Sequence, residues 1–178
     1  NAGADTINCI KQAREFGITQ TLGGLLVFIS DIHSLGLEVA QGLACTESFY
    51  WDLNERTRAF SARIRKRVPE RRLGMAQAGT YSSVLHYLKT AEAMGIAEAK
   101  KDGALTTARL KAMPADDDVF GAGIIRPDGR KLHPSYLFEV KKPSESKGPW
   151  DYYKVMATTP SDQAFRPIKD GACPLIKA

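Results

Sequence analysis

The sequence predicts an α/β fold, and three observations carry that expectation. Residues 4–68 read as helix, strand, short helix, strand, helix, the alternation of βαβ units around a sheet. The run "GGLLVFIS", 23–30, is short, apolar and branched, as expected of a strand buried on both faces of a parallel sheet. Bulk composition is globular, with 43% hydrophobic and 25% charged residues over 178 positions.

Each element has a local reason. "ADTINCIKQAREFG", 4–17, places Ile7, Ile10 and Ala13 at helical spacing, with Asp5 and Thr6 as N-terminal caps and Gly17 as a left-handed stop. Cys9 reads as a small buried residue of that helix. Leu25–Ile29 is the first strand, "DIHSLGLEVA" a short helix and "GLACTESFYW", 42–51, the next strand. "RTRAFSARIRKRVPERR", 56–72, carries Leu53, Thr57, Phe60, Ile64 and Val68 on one side with its arginines between them, so it reads as a solvated helix packed on a core and ended by Pro69. Tyr81, Val84, Leu85, Leu88 and Ala91 form the apolar stripe of the clearest helix, which Gly95 stops. A further helix spans about 104–112 and ends before Pro114. Pro127-Asp128-Gly129 is a turn between two strand-like runs, because Pro presets φ and Gly accepts a positive φ. Tyr136, Phe138 and Val140 alternate along one strand, "WDYYKVMAT", 150–158, supplies another, and the tail is turn-rich.

Most chemistries find no support. The three cysteines, Cys9, Cys45 and Cys173, have no CxxC spacing, so no metal site is implied; one disulfide is possible, with its pairing open. No HExxH, GxSxG or P-loop pattern occurs, and no cofactor motif is visible. "DDD", 116–118, fails as a calcium loop because position 12 is Pro127, and it reads as a solvated turn. His86 reads as a structural histidine. Asp31 and His33 are two apart, but no nucleophile with a base accompanies them. The basic stretch lacks the aromatics or helix-turn-helix context of a nucleic-acid surface, so no nucleic acid is expected as partner.

Two places suit binding. "NAGADT", residues 1–6, delivers backbone N–H groups at a helix N-terminus, either for an anionic group or as an ordinary capped turn. Ser30 and Asp31 follow the first strand directly, where open α/β sheets bind ligands. Asp31 is placed either to pair with a ligand ammonium or to cap the next turn.

The stretches "NAGADTINCIKQAREFGI", "GGLLVFISDIHSLGLEVAQGLACTESFYWDLNERTRAFSARI", "MAQAGTYSSVLHYLKTAEAMG" and "YLFEVKKPSESKGPWDYYKVMAT" with "CPLIKA" together resemble the second half of a type I periplasmic solute-binding protein of ABC importers, the branched-chain amino-acid-binding type. The resemblance covers essentially the whole chain. It implies a two-lobed Venus-flytrap fold with parallel sheets flanked by helices, incomplete in this chain. Residues 1–75 would belong to the C-terminal lobe, 76–130 to the N-terminal lobe, and 131–178 would cross back, add the final strands and end near the hinge. "NAGADT" would then be the middle of a longer protein whose N-terminal half supplies the other side of the cleft.

The implied function is capture of a small polar solute, an amino acid or related carboxylate or amide, and its delivery to an ABC permease in the inner membrane, with no reaction catalysed and a periplasmic location. A ligand-sensing regulatory receptor of the same fold is the alternative. Matched position by position, the resemblance places Asn1, Ala2 and Gly3 at the second-lobe contact loop, and Ser30 and Asp31 near the acidic position that meets an ammonium. There Asp stands in place of a longer Glu, which weighs against an α-amino acid. Tyr81 falls where an aromatic borders the cleft, a place it shares with the apolar stripe of its helix.

Overall fold

A computed structural model describes residues 2–172, 174 and 176; Asn1 and Cys173 lie outside them. In chain order the elements are α1 (Ala4–Glu15), β1 (Gly23–Gly24), α2 (Ile29–Leu35), α3 (Leu37–Ala40), β2 (Ala44–Glu47), α4 (Glu55–Arg65), α5 (Met75–Met94), α6 (Ile96–Ala99), α7 (Gly103–Ala112), β3 (Ser135–Val140) and β4 (Tyr153–Thr159). The fold is mixed α/β. The strands form one open sheet in the order β1-β2-β3-β4. β1 runs parallel to β2, with Gly23 opposite Ala44, whereas β2, β3 and β4 are mutually antiparallel. The expected parallel pairing is present between β1 and β2, and β3 and β4 depart from it as antiparallel strands. A connection of a dozen residues with no crossover helix joins them, and such a link returns the chain antiparallel.

The chain divides into two compact units, Asn1–Met75 with Ser135–Thr159, and Ala76–Pro134 with Pro160–Ala178. The first holds the sheet and α1 to α4. Its core is built from Ile32 of α2, Ala40 of α3, Cys45 of β2, Phe138 and Val140 of β3 and Tyr153 of β4, all nearly sealed from water. Phe138 stacks on Tyr153, and Tyr50 meets Phe138 edge to face, arrangements that aromatic quadrupoles favour.

Local signals explain most element ends. Asn54 caps α4 by accepting from the Thr57 backbone N–H at 3.0 Å, while Thr57 Oγ1 accepts from the Asn54 N–H at 3.1 Å. Gly17, at φ 68, ends the turn after α1, and Gly95, at φ 85, stops α5. α4 buries Thr57 and Phe60 and leaves its arginines exposed.

Five local expectations are corrected. Leu25–Ile29 is not a strand: β1 is only Gly23–Gly24, and the chain turns into α2 at Ile29 because the Asp31 carboxylate accepts the Phe28 N–H. Neither Asp5 nor Thr6 caps α1, which starts earlier from Gly3 at φ 55, and Cys9 is exposed. Asp117 of the triple Asp is not solvated. It is buried, and its Oδ1 accepts the Val119 and Phe120 N–H groups. The apolar stripe of α5 is its open side: Val84 is 52% and Leu88 57% exposed, while Ala78, Ser82, His86 and Thr90 are buried.

In the second unit, polar contacts tie α5 to Asp117 and Lys131. Ser82 Oγ donates to Asp117 Oδ2 at 2.7 Å, and Lys131 Nζ donates to both Asp117 and Ser82. Burial opposes ionisation of Asp117, but the Lys131, Phe120 and Ser82 hydrogen bonds outweigh it and hold the carboxyl below its usual range. The Pro127-Asp128-Gly129 turn forms as the sequence predicts, with Gly129 at φ 85, closing a bridge between Ile125 and Lys131.

Candidate functional site

At the carboxyl ends of β1 and β2, in the first unit, the chain leaves the sheet in turns that feed helices. Such ends gather ligands in open α/β sheets. Gly24 ends β1 in a close turn: a Cβ there would come within 2.3 Å of Val27 Cγ2, so no larger residue fits without movement. Leu25 and Leu26 follow, 95% and 44% exposed. With Thr6, Cys9, Ile10 and Ala13 of α1 and Leu43 they line an apolar groove of about 470 Å³.

The expected site residues fall in three places. Ala2 and Gly3 precede α1, and no side chain caps the helix, so the backbone N–H groups of its first turn point outward from Gly3. Asn1 lies outside the described residues. Ser30 and Asp31 sit in the first turn of α2. Ser30 is exposed, and its carbonyl accepts from Ser34 Oγ at 3.0 Å. Asp31 is 8% exposed, and its Oδ2 accepts the Phe28 N–H at 2.9 Å. Of the two roles open to it, the capping one is occupied. Tyr81 lies in the second unit on the open face of α5, where Ala76, Thr80, Val84, Leu85 and Leu88 surround a groove of about 570 Å³.

Sequence reasoning missed Glu47. It ends β2, is 1% exposed, accepts from Tyr153 Oη at 2.8 Å and meets the Met75 N–H, at the start of α5, at 3.4 Å. Burial pushes its carboxyl up to about 7, and the nearby Asp31 charge adds to the rise, while the Tyr153 and Met75 contacts oppose it. The available signal was an acid inside the otherwise uncharged run "GLACTESFYW". Burial likewise pushes the Cys45 thiol up to about 12, which leaves it a poor nucleophile.

Asp31 and His33 do not form a catalytic pair. His33 Nδ1 shares a 2.7 Å hydrogen bond with Tyr152 Oη, and its ring stacks on Trp150 at 3.9 Å. His86 Nε2 bonds the Leu110 carbonyl at 2.9 Å, the structural role its sequence position suggested. What remains at these strand ends is a surface of backbone donors, small side chains and two exposed leucines.

Residues 1–149 match the family model described as Periplasmic binding protein. The chain belongs to the periplasmic binding protein family. Among solved structures, a periplasmic binding protein from Burkholderia mallei is 48% identical, with 99% of this chain aligned to 46% of that one at a TM-score of 0.88. A branched chain amino acid ABC transporter periplasmic ligand-binding protein from Burkholderia xenovorans is 42% identical, with 98% of this chain aligned to 46% of that one at a TM-score of 0.84. The Brucella ovis leucine-, isoleucine-, valine-, threonine-, and alanine-binding protein, in its closed conformation, shares the fold at 17% identity and a TM-score of 0.74, over 93% of this chain and 43% of its own. The comparison with curated proteins returned no match. This periplasmic binding protein chain thus spans less than half the length of the structures it resembles, and its fold is the type I periplasmic binding fold.

Proposed function

We propose that this chain is part of the solute receptor of an ABC importer, acting in the periplasm. It captures a small polar solute, an amino acid or a related carboxylate or amide, between two lobes and presents it to the permease. The observation that supports this reading most is the 42% identity, over 98% of the chain, to the Burkholderia xenovorans ligand-binding protein. Residues 1–75 contribute to the C-terminal lobe and 76–130 to the N-terminal lobe; 131–178 return to complete the strands near the hinge. An N-terminal half of the same protein supplies the opposite wall.

In this reading the loop of Asn1, Ala2 and Gly3 offers N–H groups to an anionic part of the solute, helped by the dipole of α1. Ser30 offers a hydroxyl, and Tyr81 borders the cleft. Asp31 supports the α2 turn that carries Ser30 and does not itself meet the solute. Hinge closure around the solute is the working motion.

The test joins this chain to the N-terminal portion of the Burkholderia mallei relative. The fusion is melted against a panel of amino acids, amides and carboxylates, with the chain alone as comparison. A solute at roughly 100 times its Kd stabilises the folded receptor by about 2.7 kcal/mol, and the fusion should show such a rise for at least one class. The chain alone should show none. Micromolar binding by the chain alone, or chemical conversion of the solute, overturns the reading.

A further inference from the structure

Net charge is not spread evenly over this molecule. The chain is +5, from 25 Lys and Arg against 20 Asp and Glu. Residues 52–72 hold eight of those cations and three of those acids, so the entire excess lies in this one stretch and the remainder balances. α4 and the turns after it form an exposed ridge in which every cation but the half-buried Arg72 faces solvent.

Several cations of this ridge have no ion-pair partner among the described residues. Arg58 pairs with Asp52 at 3.1 Å, and Arg72 lies over the Trp51 ring, 5.3 Å from its centroid. Arg56, Arg65, Lys66, Arg67 and Arg71 form no ion pair among the described residues. Like charges crowd one another: after burial, the Arg65 charge is the next influence lowering the Arg72 guanidinium below its ordinary range. Val68, 42% exposed, stands among Lys66, Arg67 and Arg71 as an apolar point on a cationic surface.

We propose that this ridge, residues 56–72, docks the protein on an anionic phospholipid surface. Clusters of four to eight Lys and Arg on one side of an amphipathic helix are attracted to acidic headgroups, and the attraction grows with each cation near the surface. The guanidinium groups of Arg56, Arg65, Arg67 and Arg71 have no ion-pair partner among the described residues to fix their geometry. A fluid array of phosphates accommodates that freedom, whereas a protein partner or a duplex rewards donors positioned in advance. The ridge also lacks an exposed aromatic for base stacking, since Trp51 is half-buried beneath Arg72. Such docking goes beyond solute capture: it holds a receptor close to a membrane whatever its solute.

The test is flotation of the full chain with vesicles of phosphatidylcholine, alone or with about 30 mol% phosphatidylglycerol. Binding is expected only to the anionic vesicles. It should fall at least about tenfold between about 50 mM and about 300 mM salt, because screening shortens the reach of the charges. The combined variant Arg65→Gln, Lys66→Gln, Arg67→Gln, Arg71→Gln should lose at least about tenfold in affinity. Replacing the same three arginines by Lys should preserve binding and so control for folding, as should Lys100→Gln with Lys101→Gln in the second unit. Equal binding to both vesicles, which the exposed leucines would produce, overturns the proposal. So does an unaffected Gln variant, or capture on a poly-glutamate resin at a salt concentration that releases the vesicles, which would assign the ridge to an acidic protein surface.

Discussion

Glu47 shows how one buried carboxyl can set a pH dependence. In the unfolded chain it ionises around 4.5, and in the fold only around 7. A carboxyl raised in this way gives its full stabilisation below the unfolded value, loses it as pH climbs between the two, and gives none above the folded value. Between about pH 5 and about pH 8 the wild-type chain is therefore expected to lose on the order of 2–3 kcal/mol more than Glu47→Gln, measured by urea unfolding at each pH. Asp31 acts at the same scale by another route. Its carboxylate closes the first turn of α2, so Asp31→Ala should cost about 1 kcal/mol in a thermal melt while leaving solute affinity in the complemented receptor unchanged. A loss of affinity beyond that stability cost would return Asp31 to the solute. The role of Glu47 was not legible beforehand, and the cap of Asp31 was one of two readings the sequence left open. The spacing showed an acid after an apolar run, but whether that acid meets a ligand or its own backbone depends on a 2.9 Å approach that forms only on folding.

Elements were more legible than their faces. The helix over α5 was readable from Tyr81, Val84, Leu85, Leu88 and Ala91, and Gly95 stops it as expected. That this stripe lies open, while Ser82, His86 and Thr90 are buried, was not readable. Apolar residues at helical spacing mark a side that some surface covers, without saying which chain carries that surface. This gives α5 a test of its own. In the chain alone, Leu88→Gln should change stability by no more than about 0.5 kcal/mol and reduce self-association in sedimentation, because Leu88 is already solvated. In the complemented receptor the same change should cost about 2 kcal/mol or more if the stripe is buried there. Equal small effects in both would mean that nothing covers α5. The first strand teaches the reverse lesson. "LLVFI" has strand composition, yet the chain turns into α2 within it, because the Asp31 cap and the close turn at Gly24 act more strongly than β-propensity.

For the molecule as a whole, the alternation of helix and strand was enough for the α/β class, and the long quoted stretches for the family. Both follow from information that is local in the chain. Caps, glycines at positive φ and the period of apolar residues act within a few positions, so α1, α4, α7, the Pro127-Asp128-Gly129 turn and a strand placed at 150–158, seen at Tyr153–Thr159, could be anticipated without coordinates. The tertiary structure alone decided the mixed order of the sheet, the sealing of Glu47 against Tyr153, the enclosure of Asp117 by Lys131 and Ser82, and the exposed sides of α1 and α5. Those features join residues far apart in sequence. Their free energies arise from desolvation and contact across space, quantities that no window of neighbouring residues contains.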